Sequence, residues 1–359
     1  MMIEEFRSRS DNARLAQCMR LASVRAEIFA ALAVALCCAP VRGATAREPF
    51  TSSPLCLFVQ ELARHQLAGG EFDFVTSGSH VQPAGIIQGH TAALVAAFSA
   101  NLCGSAPAGA VARKWIEWVH ANSADTTVPS AMQPPWMEAA RYLRLVAAAR
   151  RHLPPPLFRI CTQRAEAALG RLASWQDADG LVWSDAARTH KHLLDNIEAW
   201  LALRSAATIL RDAGSKGAAA SARSRADQLY EAIETKLWCA TAGRYAWDIE
   251  SSGTLQTRAE RWDPDMVSQL AAVAFLPPNT SLRALYADLL AGLGSEDSRL
   301  AWPRDVELVA WFALAARNAG AGESWGRFMK RLDDIPQSLC ESIPLDVWLV
   351  IALAAQPPA

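Results

Sequence analysis

The stretch from Trp175 to Arg204 (WQDADGLVWSDAARTHKHLLDNIEAWLALR) holds the densest set of groups able to do chemistry. Asp195 and Glu198 are spaced i, i+3, so on a helix both carboxylates can face one way. Asn196 beside them suits a substrate hydroxyl. Capping explains the same residues differently, because acidic side chains at a helix start satisfy free N–H groups and complement the helix dipole. Similar acidic starts recur at Trp136 and Glu138, at Trp262, Asp263 and Asp265, at Trp302, Arg304, Asp305 and Glu307, and at Glu341 and Asp346. Capping accounts for each carboxylate taken singly, but not for a tryptophan beside several of them.

Thirteen tryptophans are many for 359 residues. Trp200, Trp311 and Trp348 fall inside apolar helical patterns, where packing suffices, whereas Trp136, Trp183, Trp262 and Trp302 fall at helix starts or loops and suit a cleft. A flat indole offers large apolar area to the apolar face of a sugar ring. With carboxylates alongside to bind hydroxyls, the combination points to glycans.

Other chemistries find little footing. There is no G-x-S-x-G elbow and no phosphate-binding glycine loop. His190 and His192 suggest metal, but i, i+2 on a helix points side chains apart, so a solvated loop is expected and no metal ligand is assigned. Asp177-x-Asp179-Gly180 begins like a calcium loop but lacks the later ligands and reads as a turn. A net charge of −1 argues against a general nucleic-acid grip, which needs a basic excess. No cofactor is implied.

Positioning these groups falls to helices. Apolar periodicity and breakers predict helices near 54–66, 86–101, 109–121, 135–151, 156–174, 193–212, 219–238, 264–275, 281–293, 304–318, 321–332 and 342–355. The segment Arg244–Arg258 departs from this pattern, with two alternating runs around Glu250-Ser251-Ser252-Gly253 that read as a β-hairpin. No sequence repeat is visible. Twelve helices make six hairpins, and such an alternation fits an open solenoid or a closed ring. Six pairs suit an all-α (α/α)6 toroid, one domain over residues 47–359, with inner helices apolar almost all round. The stretches 86–101, 264–275 and 342–355 have that character, while 219–238 is charged like an outer helix. Alternate helices being inner, their acidic starts would converge on one mouth. Terpene cyclases share such barrels, but their Asp-rich boxes are missing here: Asp263-Pro264-Asp265 lacks a further aspartate.

The first segment is read apart from the fold. Ile28–Pro40 is an apolar run preceded by Arg20 and Arg25 and followed by Ala44-Thr45-Ala46, the small-x-small pattern of a cleaved signal peptide within residues 1–46. Met19 starts a better basic region than Met1, so the expected translation start is Met19. The mature protein is then expected in the periplasm or outside the cell, without a membrane span, and as a monomer. Cys56, Cys103, Cys161, Cys239 and Cys340 remain after the leader. Cys56 and Cys103 fall near the ends of the first helical pair and are the first choice for a disulfide, and the odd count leaves at least one thiol free.

Within residues 170–275, Asp179-Gly180-Leu181 followed by Leu194-Asp195-Asn196-x-Glu198 resembles the six-hairpin glycosidase superfamily. So does the later order Leu237-Trp238, Gly243-Arg244-Tyr245 and Trp262-x-Pro264-Asp265-x-x-x-Gln269. The resemblance implies a toroid with a glycan cleft and acidic catalysts. On that footing Asp195 and Asp265 are the expected acid/base pair, with Glu198 third. Trp136, Trp183 and Trp262 are expected platforms. His190, Asn196, Asp263, Gln269, Trp302, Arg304 and Asp305 complete the expected binding set. Glycoside hydrolysis needs one carboxyl to protonate the leaving oxygen and another to activate water or attack carbon. Hydrolases of unsaturated glycans with a related fold manage with a single acid. A lyase would want a Tyr or His base, and of four tyrosines only Tyr245 is well placed. The competing expectations are a non-catalytic glycan-binding or polysaccharide-export accessory protein on the same fold, and a helical scaffold for protein partners.

Overall fold

The computed structural model describes residues 53–76, 80–83, 86–100, 102–103, 106–122, 136–258, 262–293, 305–336 and 343–356. The expected leader, with Met19, lies outside the described residues, as do Trp302, Arg304, Cys340 and Glu341.

Among the described residues twelve α-helices alternate between two roles. The odd ones are α1 (Pro54–Arg64), α3 (Ala106–Asn122), α5 (Pro155–Ala173), α7 (Lys216–Ala232), α9 (Thr280–Leu293) and α11 (Gly322–Asp333). The even ones are α2 (Ile86–Ser99), α4 (Trp136–Ala149), α6 (Leu193–Asp212), α8 (Val267–Phe275), α10 (Val306–Ala319) and α12 (Leu345–Ala354). Each even helix packs on the next even helix, and α12 returns to pack on α2, which closes an inner ring of six. The odd helices pack outside it against their hairpin partners. This is the (α/α)6 toroid expected from the helix pattern. Consecutive helices reverse direction, so all inner helices run the same way and their N-terminal ends share one mouth.

Composition explains which helix goes where. Every residue of α8 is buried, as is every residue of α12 after Leu345, so these helices must be covered all round. Outer α7 buries only Ala219, Ala222, Ala226, Leu229 and Ala232, a stripe at i, i+3 and i+4 spacing, and α11 buries only Phe328 and Leu332. Small residues let helices approach closely. A Cβ added at Gly89 of α2 would lie 2.1 Å from the Trp115 ring of α3, so that contact requires glycine.

Sequence inspection finds no repeat, but the structure contains one. Gln66-Leu-Ala-Gly-Gly70-Glu-Phe72 and Gln176-Asp-Ala-Asp-Gly180-Leu-Val182 make the same turn between an outer helix and the next inner one. Each is closed by a bridge, Gln66 to Phe72 and Gln176 to Val182. In each the glutamine Nε2 donates to the glycine carbonyl, at 3.0 Å for Gly70 and 2.9 Å for Gly180. Gln66 Nε2 also donates to Val111 O at 2.9 Å, tying the turn to α3. Both glycines have positive φ (101° and 90°), which favours glycine there.

Short strands fill the ends of the ring. β1 (Asp73–Thr76) pairs antiparallel with β2 (His80–Pro83), a hairpin the helical reading passed over. β3 (His190–His192) leads directly into α6. The segment expected to form one hairpin over 244–258 is divided: β4 (Trp238–Cys239) pairs with β5 (Arg244–Tyr245), while β6 (Asp248–Glu250) and β7 (Leu255–Gln256) form the hairpin. The free edge of β6 takes β3, so a three-stranded sheet β3-β6-β7 stands at the start of α6.

The opposite end of the ring is stitched by side-chain donors to the last carbonyls of the inner helices. Arg317 Nη1 donates to Leu353 O (2.9 Å), Asn318 Nδ2 to Val273 O (2.6 Å) and Gln356 Nε2 to Phe98 O (3.1 Å). These satisfy carbonyls that a helix C-terminus leaves open. A disulfide joins Cys56 to Cys103, the expected pair, and Cys161 and Cys239 are free thiols. No helix among the described residues is long and apolar enough to cross a membrane.

Candidate functional site

The start of α6 is built by the sheet before it. Leu193 N donates to Trp247 O (2.9 Å) and Trp247 N to Gln256 O (2.9 Å), so β6 and β7 hold the helix entrance in place. His192 occupies the N-cap position of α6 and Asp195 its third residue. In the β3–β6 register His192 lies opposite Asp248.

Four titratable side chains meet there. His192 Nδ1 is 3.4 Å from Asp195 Oδ2, and its Nε2 is 3.8 Å from Asp248 Oδ1. His190 Nδ1 is 2.9 Å from Asp248 Oδ2. The two carboxylates are buried, while the imidazoles keep 43% (His190) and 38% (His192) of their side-chain surface open. Asp195 Oδ1 and Asp248 Oδ1 are buried without a hydrogen-bond partner. Burial works against a charged His192, but the carboxylates of Asp195, Asp248 and Asp185 outweigh it and lift its pKa above the ordinary value. The indole of Trp247 stands 6.3 Å from the His192 ring, centroid to centroid.

One turn deeper, the ring interior carries charge. Glu198 on α6 lies 3.9 Å from Arg141 Nε and 3.9 Å from Arg144 Nη1 on α4, all three essentially inaccessible. Burial pushes Glu198 up to about 7 against the pull of both arginines, and Asp195 adds to the rise. Burial lowers Arg144 to about 9, with Glu198 holding it up and Arg141 pressing it down. Burial and then Glu307 of α10 push Asp346 of α12 up to about 7, with Arg141 drawing it back. Burial, Arg141 and Arg164 lower His90 of α2 to about 3, so it is neutral, and its Nδ1 accepts the Trp115 indole N–H at 2.9 Å. Arg141 is thus near enough to groups on α2, α6 and α12 to act on all three.

The residues expected from sequence fare unequally. Asp195 and His190 meet in the cluster, and Asp265 is buried on the π-helical turn Trp262–Met266 that enters α8, the next inner helix. Asp305 stands at the N-cap position of α10, half-buried. Glu198 sits deeper, 3.9 Å from each of two arginines, with both carboxylate oxygens buried and without a hydrogen-bond partner. Trp136 is not a platform: its indole is wholly buried, and its Nε1 donates to Trp183 O at 2.9 Å. Trp183 is half-buried, with the Lys191 ammonium over its ring at 4.0 Å, which occupies one stacking face.

Asn196 and Gln269 are also reassigned. The Asn196 amide takes the Val182 N–H at 2.7 Å and donates to Val182 O (3.2 Å) and His192 O (2.8 Å). Gln269 pairs in the same way with both backbone groups of Tyr245, at 3.0 Å each. Both amides are wholly buried and brace backbone. The side chains of Trp262 and Asp263, and all of Trp302 and Arg304, lie outside the described residues.

The expectation that His190 and His192 point apart is overturned, because they lie on a strand, where i and i+2 share a face. The intervening Lys191 turns to the other side, with its Nζ 2.7 Å from Asp177 and 2.7 Å from Asp179. That ammonium sits where a cation would sit in the Asp177-x-Asp179-Gly180 turn, which is therefore a turn as expected. Asp248 and Trp247 were missed. The available signal was their place in the predicted hairpin, the segment that departs from the helical pattern.

No family model matches this chain, and no curated protein matches it. Solved structures do. The chain is similar to the GH78 family rhamnosidase of Bacillus sp. GL1, with TM-score 0.53 and 16% identity over 85% of this chain and 35% of that one. It is similar to an unsaturated glucuronyl hydrolase specific for heparin, with TM-score 0.52 and 12% identity over 84% of this chain and 94% of that one. It is also similar to a possible member of the GH105 family from Klebsiella pneumoniae, with TM-score 0.51 and 12% identity over 88% of this chain and 96% of that one. The chain thus spans about a third of the rhamnosidase and nearly all of the other two. It has the fold of the six-hairpin glycosidases.

Proposed function

We propose that this protein is an exported glycoside hydrolase in which Asp195 is the proton donor. The observation that carries the reading is Asp195 itself: a buried carboxylate at the mouth of a glycosidase-type ring, with one oxygen unsatisfied and the other 3.4 Å from His192. An unsatisfied buried oxygen is costly unless a ligand completes it. Protonated Asp195 would give its proton to the glycosidic oxygen, or to the double bond of an unsaturated sugar. His192, held by Asp248, would orient Asp195. Asp265, on the neighbouring inner helix, is the proposed second carboxylate, activating water or attacking carbon. Trp247 flanks the cluster and takes the platform role first assigned to Trp136. The leader-like segment and the Cys56–Cys103 disulfide support export to an oxidising compartment.

The test is a panel of polysaccharides, oligosaccharides and unsaturated uronyl oligosaccharides, read by reducing-end release and by loss of double-bond absorbance. Asp195→Asn and Asp265→Asn should each lower kcat by about 10²–10⁴-fold while glycan binding persists. Binding by the native chain with no turnover anywhere on the panel would instead make it a glycan-binding accessory protein. Absence of both would end the carbohydrate reading.

A further inference from the structure

We propose that His190, His192 and Asp248 form a binding site for a divalent transition-metal ion of the zinc class. The inference does not rest on the hydrolase reading, because it concerns a ligand set and is read by metal binding alone.

Strand geometry brings the ligands together. His190 and His192 are alternate residues of β3, and the register sets His192 directly opposite Asp248 of β6. One candidate ligand atom from each residue lies within 4.8 Å of the other two. Zinc bonds of 2.0–2.1 Å at tetrahedral angles separate ligand atoms by about 3.3 Å. His190 Nδ1 lies 2.9 Å from Asp248 Oδ2 and His192 Nε2 3.8 Å from Asp248 Oδ1, so the two imidazoles meet the two oxygens of one carboxylate. Rotation of the two half-exposed rings would bring both nitrogens onto one ion held by that carboxylate.

The carboxylate is prepared for a positive charge. Asp248 is only 2% exposed, yet its Oδ1 has no hydrogen-bond partner. The frame around it is fixed: His192 N donates to Ser184 Oγ (2.7 Å), Ser184 N to His190 O (2.8 Å) and Ser251 N to Thr189 O (2.8 Å). The far nitrogen of His192 meets Asp195 at 3.4 Å, the carboxylate–histidine–metal arrangement that orients a ligating imidazole.

Donor chemistry selects the ion. Two imidazole nitrogens and one carboxylate suit zinc or cobalt, whereas calcium and magnesium want oxygen ligands throughout. Three protein ligands leave a fourth position open, and the exposed imidazole surfaces give an approach to it.

Titration calorimetry of the untagged chain with zinc chloride, and the visible absorption of its cobalt complex, test the site. One zinc per chain is expected, with no displacement by excess magnesium or calcium. His190→Ala and Asp248→Asn should each weaken zinc binding at least about 100-fold, and Asp195→Asn about 10-fold. His190→Ala removes a half-exposed ring, and circular dichroism confirms that the variant is folded. Should Asp248→Asn not fold, the cobalt spectrum of the native chain still decides, since nitrogen ligands and low coordination give intense bands. No zinc uptake by the native chain, a cobalt spectrum like that of the aqueous ion, or affinity unchanged in His190→Ala would each overturn the proposal.

Discussion

His192 Nδ1 lies 3.4 Å from Asp195 Oδ2, one residue at the cap of α6 and the other in its first turn. In the proposed reaction this pair does more than cap the helix, because His192 orients the proton donor. His192→Asn keeps a polar side chain at the cap but removes the imidazole. It should lower glycan turnover by about 10²-fold with little change in KM, as measured by steady-state kinetics on whichever substrate the panel identifies.

The charge below that pair sets a pH dependence. The Glu198 carboxyl has an ordinary value of 4.5 and is pushed to about 7 in the folded ring. Between those values the folded chain holds a proton that the unfolded chain has released, so this group makes stability fall as pH rises, and the effect levels off above about 7. Glu198→Gln should remove that decline. Relative to the native chain, the variant should gain about 3 kcal/mol between pH 4 and pH 8. Urea midpoints measured across that range check both sign and size.

Two amides brace loops rather than sugars. Asn196→Ala strips partners from both backbone groups of Val182, and Gln269→Ala does the same at Tyr245. Each should cost about 2–4 kcal/mol in denaturant unfolding, because buried backbone groups are left unsatisfied. Substrate-binding residues would instead show normal stability and raised KM.

Close approach predicts a steric penalty. Gly89→Ala places a methyl 2.1 Å from the Trp115 ring, so α2 and α3 must separate or the indole must move. A loss of about 1–3 kcal/mol is expected, with a lower Tm and altered Trp115 fluorescence.

The Cys56–Cys103 bridge spans 47 positions. Loop entropy for that span corresponds to about 4 kcal/mol, so Cys56→Ser with Cys103→Ser should lower the urea midpoint by a matching amount. Free-thiol titration of the unfolded native chain should fail to detect this pair until reductant is added.

Much of the architecture could be read in advance, because burial on all sides and burial along one stripe leave different apolar patterns. Segments such as α8 and α11 differ enough to sort inner from outer. The site was less legible. Asn196 and Gln269 look like substrate contacts until their partners 14 and 24 positions earlier are known, and Trp136 looks like a platform until Trp183, 47 positions later, accepts its N–H. A strand of three residues is too short to show a period of two, so His190 and His192 were read with helical spacing and their shared face was missed. Asp248 enters the cluster through strand pairing alone, which local spacing does not encode.

The seam between α12 and α2 has a consequence for how the chain is made. Gln356 bonds to Phe98 across 258 positions, so one flank of α2 has no neighbour until the last segment has left the ribosome. A nascent chain that stops before Leu345 is left as an open arc, its two bare rims free to seek one another in neighbouring copies.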